Sequence, residues 1–102
     1  MPLTKKYLKS KPVCKVTFKL SKKGAKGAKR LFLAGEFNEW NTKATPMKSL
    51  KDGSFTASVD LGAGREYQYR YLNDKGEWLN DTKADRYEYS AFAGGDNSVV
   101  SV

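Results

Sequence analysis

Glu66-Tyr67-Gln68-Tyr69-Arg70-Tyr71-Leu72 alternates three tyrosines with Glu66, Gln68, Arg70 and Leu72. That period of two is the pattern of a β-strand with one face in the core. The tyrosine stripe reads first as core, with stacking on a ligand as its alternative. Asn73-Asp74-Lys75-Gly76 turns the chain back toward Glu77-Trp78-Leu79, and Gly62-Ala63-Gly64 punctuates the other side. Upstream, Phe55, Ala57, Val59 and Leu61 share one strand face, and Asp52-Gly53 before them predicts a hairpin with a two-residue loop. Residues 31 to 34 form a short apolar run. Further back, Cys14, Val16, Phe18 and Leu20 alternate with Lys15, Thr17 and Lys19, so residues 13 to 20 read as a strand with its lysines in water.

Toward the C-terminus a short strand is expected near residues 87 to 89. Gly94-Gly95-Asp96 reads as a loop and residues 98 to 102 as a final β-branched strand. Turn signals about every ten residues fit a sandwich of short antiparallel strands, and no segment carries the pattern of a long amphipathic helix.

The chain has 102 residues, a length that supports a single core, with 19 Lys+Arg against 11 Asp+Glu and a formal charge of +8. Residues 1 to 30 hold eleven of those cations and no acid. The rest hold eight basic against eleven acidic side chains, a net of −3. Such asymmetry marks either a nucleic-acid- or membrane-seeking arm, or lysines that merely solvate an edge strand and a loop. Residues 1 to 12 read as a basic N-terminal segment and 13 to 102 as the domain. The glycine-containing stretch from Lys22 to Arg30 reads as a flexible connection.

No run approaches the ~18 apolar residues of a membrane span, and no signal peptide is evident. The lone Cys14 excludes an internal disulfide, so the expected compartment is the cytoplasm. Without any His, the usual zinc sites and the ordinary Ser or Cys triads have no base or ligand, and no phosphate-loop or dinucleotide motif is present. Glu36, Glu39, Asp74, Glu77, Asp81 and Asp85 are available for two-carboxylate glycosidase chemistry, but a solvated role suits them better. The chain reads as a binder and not an enzyme, with no metal or cofactor.

Two tryptophans lie in polar, turn-like surroundings, Trp40 in Gly35-Glu36-Phe37-Asn38-Glu39-Trp40-Asn41 and Trp78 in Gly76-Glu77-Trp78-Leu79-Asn80. Either they are core, as a sandwich Trp often is, or they are exposed and serve a ligand with an apolar face. Sugar rings have such a face, with hydroxyls at the rim for Arg, Asn and Gln. Arg70 and Gln68 point away from the tyrosine stripe and could line that platform.

The ordered set Gly35-Glu36-Phe37-Asn38-Glu39-Trp40, then Gly64-Arg65-Glu66-Tyr67-Gln68-Tyr69-Arg70-Tyr71, then Gly76-Glu77-Trp78 resembles carbohydrate-binding module family 48. That family includes the glycogen-binding domain of the AMP-activated protein kinase β subunit and the early-set N-terminal domains of isoamylases and glycogen branching enzymes. The resemblance spans residues 13 to 102. It implies an all-β, immunoglobulin-like (early-set) antiparallel β-sandwich that binds α-1,4-glucan without catalysis. It further implies that Trp40 and Trp78 stack on sugar while Arg70 and Asn97 hydrogen-bond glucose hydroxyls, and that Phe92 is a looser counterpart of an apolar ligand contact. The expected partners are an α-glucan polysaccharide and, as an alternative role, a glycogen-metabolising enzyme recruited in trans. Neither a membrane nor a nucleic acid is the expected partner, although the lysine-rich N-terminal part leaves nucleic acid as a third reading.

Overall fold

The computed structural model describes residues 3–25, 28–81, 84–91 and 94–102. Among them are nine strands: β1 (Leu3–Tyr7), β2 (Val13–Leu20), β3 (Leu31–Gly35), β4 (Lys48–Ser49), β5 (Phe55–Gly62), β6 (Glu66–Asn73), β7 (Trp78–Leu79), β8 (Arg86–Ser90) and β9 (Gly95–Ser101). One 3-10 turn, Glu36–Asn38, follows β3. Every pairing is antiparallel. One sheet runs β1-β2-β5-β4 and the other β3-β6-β9-β8, with β7 also paired to β6.

The two sheets pack face to face because each contributes an apolar stripe at period two. Cys14, Val16, Phe18 and Leu20 of β2 are buried against Tyr67, Tyr69 and Tyr71 of β6 and Val100 of β9. Phe18 meets Tyr69 edge-on with ring centroids 4.9 Å apart, and Tyr69 meets Tyr71 in the same way at 5.9 Å. The tyrosine stripe is therefore core, and the opposite face of β6 is left for Gln68, Arg70 and Leu72.

The polar ends of two of these tyrosines need partners inside the sandwich. Both the Tyr69 and Tyr71 hydroxyls donate to Asp81 Oδ2, at 2.8 and 3.0 Å. Burial first, and the Asp81 carboxylate second, push both phenols well above their ordinary range, so they remain protonated donors. The Asp81 backbone N–H donates to Ser98 Oγ, and the Tyr87 hydroxyl donates to the Asp81 carbonyl.

Four local readings change. Residues 3 to 7, within the segment expected to precede the domain, add β1 to the edge of β2, with Leu3 opposite Phe18 and Tyr7 opposite Cys14. The Asp52-Gly53 hairpin turns through three residues. Leu50 pairs with Ser54, Gly53 adopts φ 87°, and Asp52 accepts from both the N–H and the hydroxyl of Ser54. Gly95 and Asp96 belong to β9, since Ser90 and Gly95 remain in register. In the Lys22 to Arg30 connection, Ala25 donates to the Ser21 carbonyl at 2.9 Å and buries its side chain in the core, so this part is an anchored turn.

Beyond the core, Arg86 of β8 bridges Glu66 of β6 at 2.6 Å and Glu88 at 3.1 Å, while the Ser101 hydroxyl donates to Glu66. The Arg86 hydrogen bond, helped by Ser101, lowers the Glu66 carboxyl from its ordinary 4.5 to about 2. The folded state thus favours ionised Glu66. The stability that this adds is present above pH 4.5 and is lost as the pH falls toward 2. Glu66→Gln should flatten the acid limb of a urea-midpoint against pH curve in that window. An unchanged limb would mean that solvent screening cancels the exposed pair.

Candidate functional site

Trp40 is delivered by a loop that its own motif builds. Gly35 ends β3 where the chain passes so close to β6 that a Cβ would lie 2.6 Å from the Gln68 carbonyl oxygen and 2.8 Å from both Phe37 and Tyr69. Phe37 anchors the turn in the core, 5.8 Å from the Phe18 ring and 6.2 Å from Tyr67. Asn38 brackets it: Oδ1 accepts from the Gly35 N–H at 3.0 Å, and Nδ2 donates to the Leu33 carbonyl and to Thr45 Oγ1. Glu39 and Trp40 then take left-handed backbone conformations, φ 58° and 57°, and the Trp40 N–H closes on the Gly35 carbonyl at 2.8 Å. Two consecutive non-glycine residues in that region store about 1–2 kcal/mol each, and such strain concentrates at binding sites.

Gly35→Ala should cost about 3 kcal/mol or more, because the nearest clash is with backbone that cannot rotate away. Urea unfolding measures it, and a loss under ~1 kcal/mol would show that the loop can give.

Trp78 arrives from the other side. Asn73 accepts from the N–H groups of Lys75 and Glu77, at 3.0 and 2.8 Å, and Gly76 takes φ 79°, which closes the turn between β6 and β7. Trp78 then pairs with Leu72, so it shares the outer face with Arg70 and Gln68. Trp40 is 36% exposed and Trp78 44%. Neither indole is core, which decides between the two readings of the sequence.

The two indoles line one cavity of about 560 Å³ together with Arg70, Asn97, Gln68, Glu36 and Ser90. Its floor is hydrogen-bonded. Arg70 Nη2 donates to the Asp96 carbonyl at 2.6 Å, as does Asn80 Nδ2, while Asn97 Nδ2 donates to Gln68 Oε1 at 2.8 Å. Glu36 Oε1 accepts from the Gln68 backbone N–H at 2.6 Å, capping β6 where β3 leaves it. Two side-chain atoms at this floor are buried without a partner: Arg70 Nε, a donor, and Asn97 Oδ1, an acceptor. Buried polar groups without a partner are costly, so this floor holds hydrogen-bonding capacity that the fold itself leaves unused.

The structure therefore brings Trp40, Trp78, Arg70, Asn97 and Gln68 together, while Phe92 lies outside the described residues. Sequence reasoning missed Glu36 and Ser90 as lining residues. Glu36 had one signal, its place between Gly35 and Phe37 in the Trp40 motif. Ser90 had none, since its position follows from the register of β8 against β9.

A family model, carbohydrate-binding module 48 (isoamylase N-terminal domain), matches residues 14–93. The 5'-AMP-activated protein kinase subunit beta-2 of Mus musculus is 42% identical over 57 residues, 56% of this chain and 20% of that protein. Its Homo sapiens counterpart matches to the same extent. The 1,4-alpha-glucan branching enzyme GlgB of Mesorhizobium japonicum is 35% identical over 69 residues, 66% of this chain and 9% of the enzyme. The matched stretch thus spans a fifth or less of these relatives.

Proposed function

The chain belongs to carbohydrate-binding module 48, and from that premise we propose that it binds an α-1,4-glucan such as glycogen, starch or a maltooligosaccharide, without catalysing a reaction on it. The observation that carries this reading is the pair of exposed indoles lining one cavity above an unfilled donor and an unfilled acceptor. Trp40 and Trp78 offer flat apolar surfaces to the C–H faces of successive glucose rings. Around the indoles, Arg70, Asn97 and Gln68 supply the donors and acceptors that glucose hydroxyls need. Gln68 holds the Asn97 amide and, through its own backbone, the Glu36 carboxylate. Cytoplasmic residence fits the fully buried free thiol of Cys14.

Titration with maltoheptaose should change the fluorescence of both indoles and saturate. The midpoint should stay flat from about pH 6 to 8, because the chain has no His, and between low and moderate salt, because the ligand is neutral. Unchanged spectra at millimolar sugar would end the proposal. A steep pH midpoint would mean that a different group governs the site.

A second reading, recruitment of a glycogen-metabolising enzyme to its polymer, is favoured by one observation. In a kinase subunit and in a branching enzyme, the matched segment is a small part of a much longer protein. Adding this chain to a purified branching enzyme should then increase the fraction of enzyme that sediments with glycogen. No increase would remove the recruitment role and leave glucan binding standing.

A further inference from the structure

The site above uses one pair of exposed apolar side chains and leaves the basic N-terminal part unassigned. That part folds into the β1-β2 hairpin, in which Tyr7, the last residue of β1 and 56% exposed, and Leu8, 36% exposed, lead into a connection that carries Lys9 and Lys11. Behind them, on the outward face, Lys6 of β1 stands directly opposite Lys15 of β2. Like charges paired across strands are unfavourable. Among the described residues, the ion pairs are Lys5 with Asp85 and Arg86 with Glu66 and Glu88, so Lys6, Lys9, Lys11 and Lys15 are in none. Asp60, next to Lys15 on β5, is the acid in that row.

Against the expectation from the sequence that no membrane is a partner, we propose that this hairpin connection and the lysines around it dock the protein on a bilayer bearing anionic lipid headgroups. Three features select this occupant. A tyrosine and a leucine at the base of a basic turn match the depth profile of an interface, where an aromatic ring and an aliphatic chain sink below the headgroups and lysines reach up to phosphates. The charge is complementary, each lysine being worth roughly fivefold in affinity for an anionic surface. The outward face formed by Thr4, Lys6, Lys15, Thr17, Lys19, Ser58 and Asp60 carries neither arginine nor aromatic rings. Apart from Tyr7 at its edge, it lacks the aromatic and arginine anchors of a protein interface and the successive stacking groups of a single-strand nucleic-acid platform. The glucan cavity lies on the other sheet, so both surfaces can be occupied at once.

Flotation of the full chain with phosphatidylcholine vesicles, with and without phosphatidylglycerol, tests this. Binding should require phosphatidylglycerol and fall with salt. Lys9→Glu with Lys11→Glu should weaken it at least ~25-fold. Leu8→Ser should weaken it by roughly threefold to tenfold. Trp40→Ala should leave it unchanged, and maltoheptaose should not compete. No binding to anionic vesicles in low salt would overturn the proposal. So would a Leu8→Ser variant that binds vesicles as well as the parent while a DNA duplex binds with the same lysine dependence, which would assign the surface to nucleic acid.

Discussion

Trp78→Ala should lose roughly thirtyfold in affinity for maltoheptaose, Trp40→Ala a similar factor, and the double variant should pass through a glycogen affinity gel unretarded. The factor corresponds to about 2 kcal/mol, the scale of a binding hot spot formed by a rigid aromatic ring. Stability decides whether this reading is right. Each indole, 36% or 44% exposed, still buries more than half of its surface but stands outside the core, so urea unfolding should move by about 1–2 kcal/mol in either variant, short of the roughly 3–5 kcal/mol of a core aromatic. Loss of binding with a large loss of stability would instead mean that the indole supports its loop. Trp40 is the sharper case, because its own φ of 57° is strained and alanine tolerates that conformation no better. The expected outcome is an intact fold that no longer holds sugar. Arg70→Met would complement the pair. It removes the unfilled Nε and the bond to the Asp96 carbonyl while keeping an unbranched apolar stem.

Alternation made the two central strands legible. The tyrosines of β6 and the Cys14-to-Leu20 stripe of β2 have period two and bury as that period requires. The Trp40 motif was legible for a different reason. Each of its fixed residues does local work: Gly35 by close approach, Phe37 as anchor, Asn38 as bracket. What stayed hidden depends on partners far along the chain. Thr4-Lys5-Lys6-Tyr7 has no stripe of its own and becomes strand because β2 offers an open edge. β4 and β7, by contrast, are announced by their turns, Asp52-Gly53 and Asn73 to Gly76, although each has only two residues and is held by β5 or β6. The left-handed backbone at Glu39 has no sequence signal, since a glutamate there costs energy that only the finished loop offsets. Net charge misled in the same way. The +8 total belongs largely to the hairpin and connection of the first 30 residues, whereas the cavity carries Glu36 and Arg70.

Asp81 is the largest case of such hidden structure. A sequence reading leaves it among solvated acids, yet it is 2% exposed and takes the hydroxyls of Tyr69 and Tyr71 on one oxygen. Asp81→Ala should cost about 3–5 kcal/mol, because it strands two buried phenol donors whose desolvation is no longer offset. That is a third or more of the stability of an ordinary domain. Asp81→Asn keeps one acceptor oxygen in place and should recover roughly half of the loss, which separates lost hydrogen bonding from lost packing. The damage should also reach the cavity between the two indoles. Asp81 follows Asn80, whose amide shares the Asp96 carbonyl with Arg70, and Ser98 links both residues by accepting the Asp81 N–H and donating to Asn80 Oδ1. Below its melting temperature, Asp81→Asn should bind maltoheptaose several-fold more weakly, with Trp78 fluorescence less ordered than in the parent. A denaturation midpoint for Asp81→Ala within ~1 kcal/mol of the parent would show instead that water replaces the carboxylate between the tyrosines.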